Sequence, residues 1–152
     1  MPPNPRLEPI TPDNVGSACR LAIRPDQESF VAPVAVSLAE AYASPDIAWP
    51  RLVYDADELV GFVMGAFDPD PPVEFFRCGI WRLNIAAGHQ GKGYGRFAVE
   101  AVLAEGRHRG FDRAAVLWIP GATGPEGFYL RMGFQPTGEV FEGEVVGTLP
   151  LH

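Results

Sequence analysis

The spacing of apolar positions predicts four helices along the chain. The clearest begins after residue 93, where apolar side chains recur at i, i+3, i+4, i+7 and i+8 and form one buried stripe. Its members are Tyr94, Phe97, Ala98, Ala101 and Val102. Gly110 follows at the position of a C-terminal cap, so we expect this helix to end just before it.

The other three helices are predicted from shorter patterns. Thr11 as N-cap, with Pro12 at the first helical position, indicates a first helix of roughly ten residues. A second helix covers residues 34–42. Thr123 and Glu126 have the spacing of a capping box and predict a short last helix, which Gly133 ends.

Strands are predicted between and after these helices. Their residues are 6–10, 51–54, 59–67, 75–86, 114–119, 134–141 and 144–149. Turn residues at 55–58 and 142–143 join neighbouring strands into hairpins, and the proline-rich segment 68–72 is a loop. The order β-α-α-β-β-β-α-β-α-β-β predicts a single mixed α/β domain over residues 6–152, after a flexible start at residues 1–5.

Composition excludes several classes of function. The 152 residues are 47% hydrophobic and carry a net charge of −7, which argues against nucleic acid as the main partner. No apolar run is long enough for a membrane span and the N-terminus does not resemble a signal peptide, so we expect a cytoplasmic protein that does not bind membranes. Cys19 and Cys78 show no metal-binding or redox spacing, and no metal site is predicted.

A glycine-rich run precedes the clearest helix and suits a phosphate group. Glycines at alternate positions let backbone N–H groups turn toward one point, and a helix N-terminus adds the positive end of its dipole. The run consists of Gln90, Gly91, Lys92, Gly93, Tyr94, Gly95 and Arg96, and Lys92 is the single lysine of the chain. A glycine-rich turn without a ligand remains the alternative.

Two familiar nucleotide loops fit this run poorly. The Walker pattern needs Ser or Thr after the lysine, but Lys92 is followed by Gly93. The dinucleotide fingerprint fits Gly93, Gly95 and Ala98, but it also needs an acidic residue at the end of the next strand. Asp112 precedes that strand, and the chain after the loop is too short for a doubly wound domain. Acyl-coenzyme A is the third candidate ligand.

Two segments together resemble the GNAT superfamily of N-acetyltransferases. Residues 90–95 match its Gln/Arg-x-x-Gly-x-Gly/Ala motif, and residues 127–134 match its second signature, an aromatic residue and Tyr before Gly-Phe. One departure is Ala122, where the superfamily commonly has Asn. A further likeness is to the branch of bacterial spermine/spermidine N-acetyltransferases. The segments that carry it are 30–33, 37–42, 81–83 and 137–139.

The resemblance implies a fold, a donor and a set of site residues. The fold is a single GNAT-like domain with a mixed, mostly antiparallel central sheet flanked by helices, and the donor is acetyl-CoA, whose pyrophosphate binds the glycine loop. The residues implied in binding it are Leu83, Asn84, Ile85, Gln90, Gly91, Lys92, Gly93, Tyr94, Gly95, Arg96 and Phe128. Tyr129 is the implied general acid, with a core tyrosine as the alternative.

The resemblance also implies an acceptor site and a reaction. Glu28, Phe30, Glu40 and Trp81 are the candidates to bind the acceptor, although a solvated helix face for Glu40 and core positions for the aromatic residues explain them as well. The expected function is direct transfer of the acetyl group to a primary amine in a ternary complex. A polyamine such as spermine or spermidine is the leading acceptor, which the negative net charge permits.

Three alternatives to a polyamine acetyltransferase stay open. Two are acetyltransferases for another small amine, such as an antibiotic, or for a protein α-amine. The third is a coenzyme A-binding sensor without turnover. No histidine is well placed by sequence to be the general base, and a carboxylate acting through water, such as Glu28 or Glu40, is the alternative. The oligomeric state is also open, and a homodimer is compatible with the sequence.

Overall fold

The computed structural model describes residues 2–152, and its helices and strands follow the predicted order. The strands are β1 Pro5–Glu8, β2 Ala48–Asp55, β3 Glu58–Phe67, β4 Cys78–Ile85, β5 Arg113–Trp118, β6 Gln135–Phe141 and β7 Glu144–Pro150. The helices are α1 Val15–Cys19, α2 Val34–Ala43, α3 Tyr94–His108 and α4 Glu126–Met132. Short 3-10 turns lie at Pro25–Gln27, Glu74–Phe76 and Ala87–His89.

The seven strands form one sheet in the order β1-β2-β3-β4-β5-β7-β6. The pairing of β4 with β5 is parallel, and the other neighbours are antiparallel. This confirms the mixed, mostly antiparallel sheet. The predicted flexible start includes Met1, which lies outside the described residues, whereas Pro5 already belongs to β1.

Helices cover both faces of the sheet. On the α2 face, Ala18 of α1 and Val34 of α2 pack against Leu52, Phe62 and Met64 of the sheet. On the α3 face, α3 and α4 pack against a larger cluster, whose fully buried side chains include Val99, Val102, Trp118 and Phe134. Burying a side chain of this size stabilises the fold by about 1.5–3 kcal/mol.

Three local predictions were wrong. The first helix is only five residues long and begins at Val15, after a turn at residues 12–14. Thr11 and Asn14 do exchange side-chain to backbone hydrogen bonds of 2.8 and 3.3 Å, the pattern of a helix N-cap, so it is the length of the helix that was mispredicted. The strand predicted from residue 75 begins at Cys78, after a 3-10 turn. The capping box is absent from the start of α4, whose N-cap is Pro125 and receives no side-chain hydrogen bond.

A close approach and a bulge shape the middle of the sheet. β4 and β5 pair only at Gly79 with Ala115 and Ile80 with Val116. A Cβ atom on Gly79 would lie 1.9 Å from the carbonyl oxygen of Ala115, so only glycine permits this contact. The next residue, Trp81, has no partner on β3 and forms a β-bulge, which bends a strand. Beyond this point β4 and β5 separate.

Candidate active site

A cleft of about 1230 Å³ lies where β4 and β5 separate. Its walls come from β4, the ends of β5 and β7, the loop before α3, the start of α4 and the segment before α2. Because residues 81–85 have no partner on β5, one edge of β4 has no neighbouring strand and can pair with a ligand, apart from the Ile85 carbonyl, which accepts a hydrogen bond from Gln90.

The glycine loop forms one end of the cleft. Gly91 and Gly93 have φ values of 75° and 90°, in the left-handed region that favours glycine, and no atom of residues 2–152 outside their own chain neighbours lies within 4 Å of a Cβ atom built on either residue. The first backbone hydrogen bond of α3 runs from the Phe97 N–H to the Gly93 carbonyl, so the N–H groups before it have no helical acceptor. These features fit an anion such as pyrophosphate.

Two polar contacts hold this loop in place. The side chain of Gln90 donates to the Ile85 carbonyl at 3.2 Å and also pairs with the side chain of Gln27. The Tyr94 hydroxyl donates to the Asp55 carboxylate at 2.5 Å. This hydrogen bond, together with burial of the phenol and the nearby carboxylates, raises the pKa of Tyr94 to about 12. The start of α3 is therefore tied to both β4 and the β2–β3 hairpin.

The starts of α3 and α4 meet at the cleft. A Cβ atom on Gly95 would lie 3.3 Å from the ring of Phe128, so the small residue lets this ring pack closely on α3. Arg96 and Arg131 are exposed and also line the cleft, and Arg131 forms no ion pair with another residue in the range 2–152. Arg96 also pairs with Glu100 at 3.2 Å, and both arginines add positive charge to the cleft wall.

Tyr129 lies in the wall of the cleft on the α3 face. Its ring stacks on Trp118 at 5.8 Å between centroids, and it meets Phe128 and Phe134 edge to face. Burial raises the pKa of its phenol above the ordinary value, so the hydroxyl keeps its proton at neutral pH. No hydrogen bond joins this hydroxyl to any other described residue. It is therefore available to donate a proton or a hydrogen bond into the cleft.

Thirteen of the sixteen predicted site residues line the cleft. They are Glu28, Phe30, Trp81, Leu83, Ile85, Gln90, Gly91, Gly93, Tyr94, Gly95, Arg96, Phe128 and Tyr129.

The structure does not bring the other three predicted residues into the cleft wall. Asn84 is buried and donates from Nδ2 to the Ala32 carbonyl at 3.0 Å, beneath the segment before α2. Lys92 is exposed on the loop. The carboxylate of Glu40 is 3.2 Å from Arg82, so this acid is held by an ion pair outside the cleft.

Sequence reasoning missed several charged residues in the cleft. Glu126 was assigned to a capping box, but its carboxylate accepts a 2.8 Å hydrogen bond from Trp118 Nε1. Arg82 and Glu144 also line the cleft. Burial and Glu142 raise the pKa of Glu144, while Arg82 lowers it. No motif marks Glu144, which the last hairpin brings to the site, and the segment 81–83 was noted only for its family likeness, not for the charge of Arg82.

Residues 14–134 match the sequence model of the acetyltransferase (GNAT) family. The chain belongs to the GNAT acetyltransferase family. It is also similar to N-acetyltransferase 8F1 of Rattus norvegicus, with 31% identity over 85 residues, which are 56% of this chain and 38% of that relative. This GNAT chain thus aligns with well under half the length of that curated relative.

Solved structures of acetyltransferases share the fold of this chain. An acetyltransferase from Thermus thermophilus superposes with a TM-score of 0.75 at 20% identity, covering 97% of both chains. A GNAT family acetyltransferase from Elizabethkingia anophelis with acetyl-CoA bound superposes with a TM-score of 0.66 at 16% identity, covering 97% of this chain and 99% of that one. No helix in the described part of the chain is long and apolar enough to cross a membrane.

Proposed function

We propose that this GNAT protein transfers the acetyl group of acetyl-CoA to a primary amine. One observation carries the proposal: a single cleft joins an anion-binding glycine loop, a free edge of β4 and the hydroxyl of Tyr129. An acetyl transferase needs a site for each of three parts of its donor, namely the phosphates, the extended pantetheine arm and the departing sulfur. The cleft offers all three along one path.

The donor would be held mainly by backbone groups. A Cβ atom built on Gly91 or Gly93 would face open space, and the N–H groups of this loop suit the pyrophosphate, with Arg96 and Arg131 adding charge. The free edge of β4 at Leu83 and Ile85 suits the amide groups of pantetheine. Because these contacts use the main chain, the replacement of the usual Asn by Ala122 leaves them intact.

The chemistry assigns a role to Tyr129. When a neutral amine attacks the thioester carbonyl, a C–N bond forms and the C–S bond breaks, and the sulfur departs as a thiolate. The buried phenol is protonated at neutral pH and can donate to that sulfur. Its position in the cleft wall and a hydroxyl that no other described residue engages support this role, while stacking on Trp118 holds the ring in place.

The acceptor side favours a cationic amine, and a polyamine remains the leading candidate. The carboxylates of Glu28, Glu126, Glu142 and Glu144 line the cleft. The cation of Arg82 is offset by its ion pair with Glu40. The name of the rat relative, N-acetyltransferase 8F1, specifies no polyamine, so other small amines and a protein α-amine stay as alternative acceptors.

Thiol release with a panel of amines tests this function. The panel should contain spermine, spermidine, an aminoglycoside and a peptide with a free N-terminus, each mixed with acetyl-CoA. We expect release with at least one of them, and Tyr129→Phe should lower kcat about 10²–10⁴-fold with little change in acetyl-CoA affinity. Tight acetyl-CoA binding without thiol release from any amine would instead support a sensor. Activity with the peptide or the aminoglycoside but with neither polyamine would exclude a polyamine as the acceptor and leave the acetyltransferase function standing.

Ionic strength tests the cationic acceptor separately. Exposed charges are screened beyond a Debye length of about 10 Å at 0.1 M salt, so the acceptor KM should rise with salt. Glu28→Gln should raise KM more for spermine than for a monoamine. Asp57→Asn is the matched control, because Asp57 is exposed on the β2–β3 turn and outside the cleft. Equal effects of the two variants would contradict a binding role for Glu28.

A further inference from the structure

The four carboxylates of the cleft differ in what holds them. Glu126 accepts a hydrogen bond from Trp118 at 2.8 Å. Glu28 and Glu142 are exposed. Glu144 is half-buried at the start of β7, and neither a hydrogen bond nor an ion pair joins its carboxylate to another residue of the range 2–152. Glu144 is therefore the partly buried acid that is free to take a proton.

The strand register places Glu144 and Tyr129 on opposite faces of the sheet. Trp118 and its β7 partner Val145 both pack in the cluster on the α3 face, together with Tyr129. Side chains alternate along a strand, so Glu144, the neighbour of Val145, projects toward the α2 face. Arg82 lies on that face as well, because it pairs with Met64 of the α2-face cluster.

Acyl transfer to an amine needs an acid and a base that approach the reacting carbon from different sides. The amine enters and the sulfur leaves along different directions around one carbonyl carbon. A group that protonates the sulfur and a group that deprotonates the amine therefore serve different sides of that carbon. Glu126 is on the same face as Tyr129, since it is bonded to Trp118 and lies one turn before Tyr129 on α4. Glu144 lies on the other face and still lines the same cleft.

We propose that Glu144 is the general base that deprotonates the acceptor amine, an inference that rests on the proposed acetyl transfer. The carboxylate takes one proton from the acceptor ammonium, and the neutral nitrogen forms the C–N bond as the C–S bond breaks. Tyr129 gives its proton to the thiolate, and the second proton lost by the nitrogen restores the phenol. The proton on Glu144 returns to water, so the cycle yields amide, free thiol and one proton.

The surroundings of Glu144 make its carboxylate a better proton acceptor than an ordinary glutamate. Burial and the adjacent Glu142 raise its pKa, which makes the carboxylate a stronger proton acceptor. The Arg82 guanidinium acts in the opposite direction, but it is paired with Glu40. The charged groups around Glu144 are thus Glu142 on its own hairpin, Arg82 on β4 and, through Arg82, Glu40 on α2.

The dependence of kcat on pH, with acceptor saturating, tests this role in Glu144→Gln. We expect kcat to fall about 10²–10⁴-fold at neutral pH and the acidic limb of the profile to disappear. A weakly basic primary amine, already neutral at pH 7, should restore the variant to within about threefold of the native rate, because it needs no base. Glu139→Gln makes the same charge change on exposed β6, outside the cleft, and should keep the native profile.

Three outcomes would overturn the proposal. One is a Glu144→Gln protein with a native kcat and acidic limb. Another is an equal loss for strongly and weakly basic amines, which would mark a structural or binding role. If the glutamine variant fails to fold, Glu144→Asp replaces it and should retain the acidic limb of the pH profile with a lower kcat. The third contradicting outcome is an aspartate variant with the native kcat and no acidic limb. A native protein inert toward every amine would refute the acetyl transfer itself.

Discussion

Two glycines at opposite ends of α3 give a matched test of the phosphate site. Gly93 precedes the helix in the cleft, and Gly110 follows it on the far side. Both have φ of 90°, and a Cβ atom built on either one would meet no other part of the described chain within 4 Å. Gly93→Val and Gly110→Val therefore carry a similar backbone cost and no steric clash, and they differ in what the new side chain faces.

The magnitudes follow from this geometry. A non-glycine residue in the left-handed region costs about 1–2 kcal/mol, so both variants should lose about that much stability. For a chain of this size, about 1 kcal/mol lowers Tm by roughly 2–4 °C. Only the valine at residue 93 would occupy the space where the donor phosphates approach. We therefore expect it alone to weaken acetyl-CoA binding more than tenfold, or by more than about 1.4 kcal/mol.

Thermal unfolding and calorimetric titration with acetyl-CoA separate the two effects. The expected result is two folded proteins with similar losses in Tm, of which only Gly110→Val binds acetyl-CoA with native affinity. Native affinity in a folded Gly93→Val protein would refute the phosphate site. A similar loss of affinity in both variants would show that the effect comes from strain in α3 and not from the cleft.

Two further predictions concern stability. Gly79→Ala should destabilise the fold by about 1–3 kcal/mol in urea unfolding, because its Cβ atom would lie 1.9 Å from the Ala115 carbonyl oxygen. Gly88→Ala is the control and should be nearly neutral, because a Cβ atom there has open space. Equal effects of the two variants would contradict the close approach of β4 and β5. Burial raises the pKa of Tyr129, so the folded state keeps a proton that the unfolded chain loses near pH ~10. The contribution of the protonated phenol to the free energy of unfolding is therefore complete below that pH and is lost as pH rises further. Tyr129→Phe should therefore lose less stability than the native protein between about pH 9 and 11, and parallel losses would argue against that pKa shift.

The sequence by itself determined the features that depend on local patterns. The apolar stripe from Tyr94 predicted α3, and Gly110 predicted its end, because a helix has one period and a left-handed cap favours glycine. The turn residues predicted both hairpins. The glycine run and the signature around Tyr129 indicated the family, and most of the residues in these motifs line the cleft.

Only the tertiary structure decided which charged side chains share the cleft. Regular alternation on β4 would put Trp81 and Arg82 on opposite faces, but the bulge at Trp81 brings both to the α2 face. Glu144 reaches the cleft because β7 pairs with β5 and β5 ends at Trp118. Glu40 lies outside the cleft wall, and its carboxylate pairs with Arg82, which lines the cleft. Bulges, strand neighbours and ion pairs depend on contacts between distant segments, which no local pattern encodes.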